Sequence, residues 1–328
     1  MGRYRKIAWT LVLTIVLGAT LMKPAEPQAL QGRIPFGEEG AMLRGSKEFI
    51  SSRTTPIGKK TTISDAVPHI FNGSEAPQYQ YVVGISFLKN GREGTCTGTL
   101  LGKRLVLTAA HCGCGTSYSV TQELRMASGK FRRVIDPPIL FDSLICQRSA
   151  IRPGYDLALL RLAEDADVAD DYDAVPPLAF SLGKLTRTGT DLIVVGYGLT
   201  ESRTSGVRMQ ASVPVFTADC AQRQYVAAGC APFLEMILSA SARTSGSRTA
   251  DTCSGDSGGP VFAMRSIQGG VAPVLVGVTS RPAPFPHIDA EDHCGGGGFY
   301  TVVGRTDVIT WLQNNGAMEK PAPQGQTQ

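Results

Sequence analysis

The chain has 328 residues, of which 42% are hydrophobic, and a formal net charge of +4 at pH 7. This length and composition allow one large domain or two small ones, each with a buried core. Its lysines and arginines are scattered along the sequence, whereas a nucleic-acid-binding protein concentrates them in a basic stripe. We therefore expect no nucleic-acid partner.

The first 29 residues have the pattern of an export signal. Arg3, Arg5 and Lys6 precede an uncharged apolar run over residues 7–22. As a helix this run would be about 24 Å long, which is shorter than the ~30 Å hydrocarbon core of a bilayer. We interpret residues 1–29 as a signal peptide rather than an anchor. The protein is then secreted or periplasmic, and it contacts a membrane only if this segment is retained.

The remaining chain changes character near Tyr79. Residues 30–69 are polar and basic without a sustained hydrophobic period, as in a pro-segment or linker. Beyond Tyr79, short runs such as "YVVGISF", "RLVLTAA" and "DLIVVGYG" alternate with turn residues, which predicts an all-β sandwich or barrel. The clearest helix candidate is "TDVITWLQNN", with Thr306 as its N-cap. Residues 317–328 predict a disordered tail.

Eight cysteines behind an export signal predict an oxidising compartment and up to four disulfides. No two of them form a Cys-x-x-Cys pair, the spacing typical of zinc sites. We expect neither a metal nor a cofactor.

A serine surrounded by glycines occurs in "DTCSGDSGGP", residues 251–260. A serine hydroxyl is a poor nucleophile until a base takes its proton, and that base works best when a third group orients it. The glycines let the backbone bend so that the N–H groups of Gly255 and Ser257 point at one spot, as an oxyanion hole requires. Ser257 is therefore the candidate nucleophile.

Candidates for the base and the orienting acid lie upstream. His111 stands at the end of an apolar strand in "LTAAHC", and Asp156 opens the strand "DLALLRL". An acid at the start of a buried strand is costly unless something pairs with it. Taken singly, the histidine could be structural and the aspartate a turn residue.

The string from Gly255 to Gly259 also matches G-x-S-x-G, the nucleophile elbow of α/β-hydrolases. That fold needs alternating strands and helices, with an aspartate and then a histidine after the serine. His287 and His293 do follow Ser257, but the strand-only pattern and Cys253 disfavour this alternative.

Together, "LTAAHC", "YDLALLRL" and "DTCSGDSGGPV" resemble the trypsin-like serine protease family, in the family's order and at near-family spacing. The resemblance extends from Ile70 to about Asn315. It implies two six-stranded antiparallel β-barrels with the catalytic residues in the cleft between them. It also implies that Ser257 is the nucleophile, His111 the general base and acid, and Asp156 the group that orients the imidazole.

The resemblance implies a specificity pocket with Asp251 at its base, because the family places the residue six before the nucleophile there. A negative charge at that point would receive a basic side chain, and Ser280 and Gly298 would line the pocket. Cleavage after Arg or Lys is therefore expected. The alternative interpretation of Asp251 is a surface aspartate in a loop.

The sequence departs from the family after Ser280. Arg281 and Pro282 replace the usual aromatic-glycine pair, and the loop to Cys294 is longer than usual. This segment normally supplies backbone hydrogen bonds to the substrate strand, and proline removes a donor. The histidines and acids of 287–293 could bind a metal, but we expect a solvated loop.

Asp256 implies an activation mechanism. In the family this acid pairs with an α-amino group that cleavage frees, and "HIFNGSEAP" matches the start of the mature chain. Ile70 would then be the new N-terminus and 70–316 the peptidase domain. His69 stands where the family usually has Arg or Lys, so either an unusual protease activates the chain or activation occurs differently.

The resemblance also implies disulfides: one beside the catalytic histidine and one that braces the pocket, Cys96–Cys112 and Cys253–Cys294. Cys220 matches a family cysteine whose usual partner position is not cysteine here, and Cys230 is the nearest substitute. The two cysteines that remain would form Cys114–Cys146.

The sequence thus predicts a secreted serine endopeptidase, made as a zymogen, that acts on protein or peptide substrates and has an activating protease as a further partner. The alternative is a catalytically silent protease fold kept for binding. No member of the triad is missing, which disfavours that alternative.

Overall fold

A computed structural model gives the fold and describes residues 70, 73–148, 150–168, 186–238, 250–267, 270–284 and 294–318, all within one compact unit. Several sequence predictions fall outside the described residues: the signal peptide 1–29, the pro-segment 30–69 with His69, the loop histidines at 287 and 293, and residues 319–328 of the tail.

Six antiparallel strands close the first barrel. A two-residue strand, β1 (Ser74–Glu75), precedes them, and the barrel consists of β2 (Val82–Lys89), β3 (Arg92–Gly102), β4 (Leu105–Thr108), β5 (Thr116–Thr121), β6 (Arg132–Leu140) and β7 (Ala158–Leu162). The spatial order is β2-β3-β4-β7-β6-β5, and β5 pairs back with β2. The β2–β3 hairpin turns at Asn90-Gly91, a dipeptide favoured in two-residue hairpin turns.

The second barrel has the same number of strands. They are β8 (Asp191–Gly196), β9 (Met209–Thr217), β10 (Glu235–Leu238), β11 (Pro260–Ile267), β12 (Gly270–Pro282) and β13 (Gly298–Val302). The order β9-β10-β13-β12-β11-β8 closes because β8 also pairs with β9. β1 adds to β9 at Gln210 and Met209, so the chain that leads to the first barrel begins on the second.

Two short α-helices, α1 (Arg223–Ala227) and α2 (Thr306–Asn314), complete the described structure, together with three 3-10 turns at Ala110–Gly113, Met126–Ser128 and Ile145–Gln147. The predicted N-cap of α2, Thr306, is wrong by one residue, because Arg305 occupies that position in an extended conformation and makes no side-chain cap. Asp307 instead accepts a hydrogen bond from the N–H of Val308 at 3.0 Å. Within the described residues, no helix combines the length and apolarity needed to cross a membrane.

The apolar interior links the two barrels. One buried cluster continues from the first barrel to Phe262 and Leu275 of the second and to Val308 and Leu312 of α2. A separate cluster fills the second barrel and includes Ile70. The predicted all-β fold of two six-stranded antiparallel barrels with a C-terminal helix is confirmed.

Candidate active site

The carboxylate of Asp156 lies fully buried just before β7. Its Oδ1 accepts the backbone N–H of His111 at 2.9 Å, and its Oδ2 lies 2.8 Å from Nδ1 of the same histidine. The hydroxyl of Ser280, on β12, donates to Oδ2 at 2.6 Å. Burial alone would raise the pKa of Asp156, but the charge and hydrogen bonds of His111 and the Ser280 hydroxyl outweigh it and hold the pKa below its ordinary value.

His111 is fixed by its position in the chain as well as by Asp156. It lies in a single 3-10 turn, Ala110–Gly113, that follows β4 directly, and Cys112 within that turn is bonded to Cys96 of β3. An ionised carboxylate only accepts hydrogen bonds, so Nδ1 carries the proton toward Asp156 and Nε2 keeps its lone pair. The imidazole is therefore oriented as a base.

The turn that carries Ser257 is tied to the first barrel. The carbonyl oxygen of Ser257 accepts the N–H of Thr97, on β3, at 2.8 Å. Gly258 has a φ of 82°, and a Cβ added there would lie 2.0 Å from the Thr108 hydroxyl oxygen, so only glycine allows the two barrels to approach this closely. The glycines of the motif therefore allow the two barrels to pack closely, in addition to allowing the backbone to bend around Ser257.

Two backbone N–H groups next to the Ser257 side chain make no hydrogen bond to the described part of the chain. Among the described residues, neither the N–H of Gly255 nor that of Ser257 donates to a protein acceptor. Gly255 has a φ of 99°, which orients its peptide in a way that side-chain-bearing residues rarely adopt. A pair of free N–H groups beside a serine can stabilise an oxyanion.

The structure brings the three predicted triad residues into one region but joins only two of them directly. Sγ of Cys112 lies 3.7 Å from Nε2 of His111 and 3.7 Å from the carbonyl oxygen of Ser257. No hydrogen bond between the Ser257 hydroxyl and His111 occurs in the described part of the chain. Catalytic hydrogen bonds are often long before substrate binds and tighten only in the complex.

Asp251 is also fully buried. Its Oδ1 accepts the N–H of Thr252 at 2.8 Å and its Oδ2 accepts the N–H of Gly297 at 2.7 Å. Burial raises the pKa of Asp251 to about 7, although backbone N–H groups around it act in the opposite direction. The surface-loop interpretation of Asp251 is thereby wrong, since this carboxyl is enclosed by the chain that leads into Gly298 and β13.

Asp256 is the third buried carboxyl of the site. It accepts hydrogen bonds from the N–H groups of Gly198 at 2.8 Å and Cys253 at 2.9 Å. Burial, together with the nearby charge of Asp251, raises the pKa of Asp256 to about 7. No cation pairs with it within the described residues. Ile70, its predicted partner, is buried in the core of the second barrel.

Four disulfides brace these elements. They join Cys96 to Cys112, Cys114 to Cys146, Cys220 to Cys230, and Cys253 to Cys294. The sulfurs of Cys96 and Cys112 and a ring nitrogen of His111 lie within 4.8 Å of one another. Because both sulfurs belong to a disulfide, neither is available as a thiolate to hold a metal.

Comparison with known proteins identifies this arrangement. The family model described as Trypsin matches residues 70–312. This chain belongs to the trypsin-like serine protease family. Phenoloxidase-activating enzyme 1 of Spodoptera litura is 30% identical over 320 residues, which cover 88% of this chain and 80% of that protein.

Two further comparisons agree with the family assignment. Phenoloxidase-activating factor 1 of Holotrichia diomphalia is 26% identical over 274 residues, 75% of this chain and 69% of that protein. Among solved structures, neuropsin, a serine protease expressed in the limbic system of mouse brain, matches with a TM-score of 0.54 and 25% identity. That match covers 75% of this chain and 99% of the neuropsin chain.

Sequence reasoning missed one residue of this trypsin-like site. Thr97 is fully buried and its hydroxyl donates to the carbonyl oxygen of Gly255 at 2.9 Å while it accepts the N–H of Tyr197 at 3.0 Å. Its backbone N–H also donates to the carbonyl oxygen of Ser257. Thr97 therefore joins β3 to the loop of Gly255 and Ser257 and to the loop of Tyr197. The available signal was weak: a threonine directly after Cys96 in an otherwise ordinary strand.

Asp256 generates a prediction on the uncleaved chain. Its pKa rises from 3.8 to about 7 on folding, so the folded state binds the proton more tightly. This contribution to the free energy of unfolding is full below the unfolded pKa and is lost as pH rises through about 7. Between about pH 4 and pH 8, wild type should lose up to ~4 kcal/mol more stability than Asp256→Asn.

Urea denaturation across that pH range measures the difference. Asp165→Asn is the control, because Asp165 is exposed and pairs with Arg104 on the surface, so its variant should follow the pH profile of wild type closely. Parallel profiles for wild type and Asp256→Asn would contradict the prediction.

Proposed function

We propose that this protein is a catalytically active serine endopeptidase. The observation that carries the proposal is the buried Asp156 carboxylate, which accepts hydrogen bonds from both the backbone and the ring of His111 and from Ser280. A carboxylate held this way stabilises the imidazolium that forms when histidine takes a proton. Membership of the trypsin-like family supports the same reaction.

Each residue of the proposed site has a separate role in the reaction. Ser257 attacks the scissile carbonyl carbon and gives its proton to Nε2 of His111. The carbonyl oxygen gains negative charge and accepts hydrogen bonds from the N–H groups of Gly255 and Ser257. His111 then protonates the leaving amine, and a water molecule, deprotonated by the same nitrogen, hydrolyses the acyl-enzyme.

Replacing the nucleophile tests this proposal. Ser257→Ala should lower peptide hydrolysis by about 10⁶-fold and abolish labelling by a fluorophosphonate, since both need the hydroxyl. Ser254→Ala is the matched control, because Ser254 is an exposed serine of the same turn and should keep both activities. A cleaved wild-type protein that is never labelled would instead indicate the silent binding module.

The proposed specificity is cleavage after Arg or Lys. Among the described residues no cation pairs with Asp251. A basic side chain of the substrate would supply one, and the pKa of Asp251 would then fall because ionisation becomes favourable. Backbone N–H groups already hold the carboxylate in place at Gly297 and Thr252. Because the carboxylate is already held in position, less conformational entropy is lost when the substrate binds.

A substrate panel measures this specificity. Asp251→Ser should lower kcat/KM for arginyl and lysyl substrates by about 10²- to 10³-fold, as expected when one member of a buried charge pair is removed. The rate on a substrate with a small apolar residue at the same position should change little, which makes it the internal control. An unchanged preference for Arg over apolar residues would exclude Asp251 as the specificity residue.

We further propose that the chain is a zymogen activated by cleavage before Ile70. The family match begins at residue 70, and Asp256 is a buried carboxyl without a cation among the described residues. A freed ammonium at Ile70 would neutralise that charge and fix the loop that carries Gly255. A buried pair of this kind functions as a switch.

An engineered cleavage site tests the activation step. A recognition sequence for a protease of known specificity, placed directly before Ile70, should yield activity after cleavage. The control carries one extra alanine before Ile70, which displaces the ammonium, and its activity should be about 10²- to 10³-fold lower. Equal activity of the two cleaved forms would contradict the proposed ion pair.

Export and partners complete the proposal. The basic and apolar pattern of residues 1–29 supports secretion or a periplasmic location, and the four disulfides need an oxidising compartment. Two relatives are named for activating phenoloxidase, which supports protein substrates. We infer residues 30–69 to be the pro-segment that an activating protease removes.

A further inference from the structure

The end of β12 carries an ion pair that the sequence did not reveal. Arg281 donates to both carboxylate oxygens of Glu235, through Nη1 to Oε1 and through Nη2 to Oε2 at 3.0 Å. The Glu235 side chain is fully buried and that of Arg281 is 18% exposed. A bidentate Arg–carboxylate pair fixes direction as well as distance.

The same two residues hold a second element. Nη2 of Arg281 also donates to the carbonyl oxygen of Gly229 at 2.8 Å, and Oε2 of Glu235 accepts the N–H of Ala231 at 2.9 Å. Both partners flank Cys230, which is bonded to Cys220. The guanidinium further lies 4.3 Å from the ring centre of Phe299, so Arg281 is held on three sides.

This pair fixes the strand that backs the proposed pocket. Pro282, the residue after Arg281, pairs with Gly298, and the N–H of Ala283 donates to the carbonyl oxygen of Gly297 at 2.9 Å. Gly297 in turn donates its N–H to Asp251. A continuous set of contacts therefore runs from Glu235 through Arg281 to the carboxyl of the pocket.

Within the described structure, no second strand holds this end of β12. Over residues 281–282 the only ladder partner among the described residues is β13, because pairing with β11 ends at Val278. Ser280 is secured differently, since Thr279 exchanges backbone hydrogen bonds with Gly258 and Gly259 at 2.8 and 2.9 Å. Loss of Arg281 should thus loosen the pocket wall and leave the Ser280–Asp156 bond in place.

We propose that Arg281 and Glu235 are positioning residues that hold the wall of the specificity pocket around Asp251. The inference rests on the proposed pocket, and it assigns a role to the arginine that replaces the family's usual aromatic residue. Neither side chain touches the reacting atoms. Their effect is on the binding of a cationic side chain and not on the nucleophile.

Ligand binding without catalysis tests the inference. In a Ser257→Ala chain cleaved at an engineered site before Ile70, fluorescence titration with p-aminobenzamidine, an aromatic amidine cation, reports the pocket. Arg281→Met and Glu235→Gln should each raise its dissociation constant by about 10- to 100-fold, the loss typical of a site displaced by about 1 Å. Arg104→Met, which breaks the exposed pair with Asp165 on the first barrel, should leave the constant within about twofold of the parent, because surface pairs contribute little.

A double variant separates positioning from folding. Arg281→Met/Glu235→Leu removes both charges of the pair together, which often restores stability, but it also removes the hydrogen bonds that hold the end of β12 in place. We expect this variant to melt near the parent temperature and still bind the amidine weakly. Binding as tight as in the parent would overturn the inference.

Labelling separates this result from the broader proposal. In the chain with Ser257 intact and cleaved before Ile70, Arg281→Met should react with a small fluorophosphonate at a rate within about twofold of wild type, since the triad is untouched, and a parallel loss of labelling and amidine binding would overturn the positioning role. If the Ser257→Ala parent itself fails to bind the amidine, the Asp251 pocket and this inference fall together. Labelling of Ser257 would still stand as evidence for a serine protease.

Discussion

The carboxylate of Asp156 is the constraint on which the site depends. It is fully buried, and an ionised group without water must find its hydrogen bonds within the protein. The donors come from both barrels: His111 follows β4 of the first, and Ser280 lies on β12 of the second. Satisfying one charge therefore requires both barrels to be folded and docked, which couples formation of the site to formation of the whole domain.

Three buried carboxyls behave differently because their donors differ. Asp156 faces an imidazole that can carry positive charge, and its pKa stays below the ordinary value. Within the described structure, Asp251 and Asp256 accept hydrogen bonds from backbone N–H groups alone, so burial dominates and raises the pKa of each to about 7. A buried carboxyl of this second kind is stabilised in its ionised form when a cation binds next to it. The proposed cation is the substrate side chain for Asp251 and the Ile70 ammonium for Asp256.

Two arginines, Arg208 and Arg281, are satisfied in different ways. Arg208 is buried and donates to the carbonyl oxygens of Ala76, Val82 and Gln122 and to the hydroxyl of Tyr197. Arg208 thereby links Ala76, in the segment that follows Ile70, to Tyr197. The next residue, Gly198, donates its N–H to Asp256. Arg281 relies on a buried carboxylate instead, and a charge paired in this way leaves the strand end with one preferred position.

The two-barrel fold was implied by the resemblance to the trypsin-like family. The residues themselves predicted the all-β class, the triad candidates and the order of the motifs. These features are local: each depends on a short pattern such as "LTAAHC" or "DTCSGDSGGP", where residue type and spacing specify backbone shape. The start of α2 was misplaced by one residue, because the choice between Arg305 and Thr306 at the cap depends on contacts of Asp307 and Gly154.

Tertiary structure alone decided which distant groups meet. Thr97 joins Gly255 across a sequence separation of 158 residues, and Arg281 finds Glu235 across 46. Nothing in the local pattern around either residue encodes its partner, because burial and charge act through space and not along the chain. The departure at Arg281 was visible in the sequence, whereas the direction in which its side chain points required the packed second barrel.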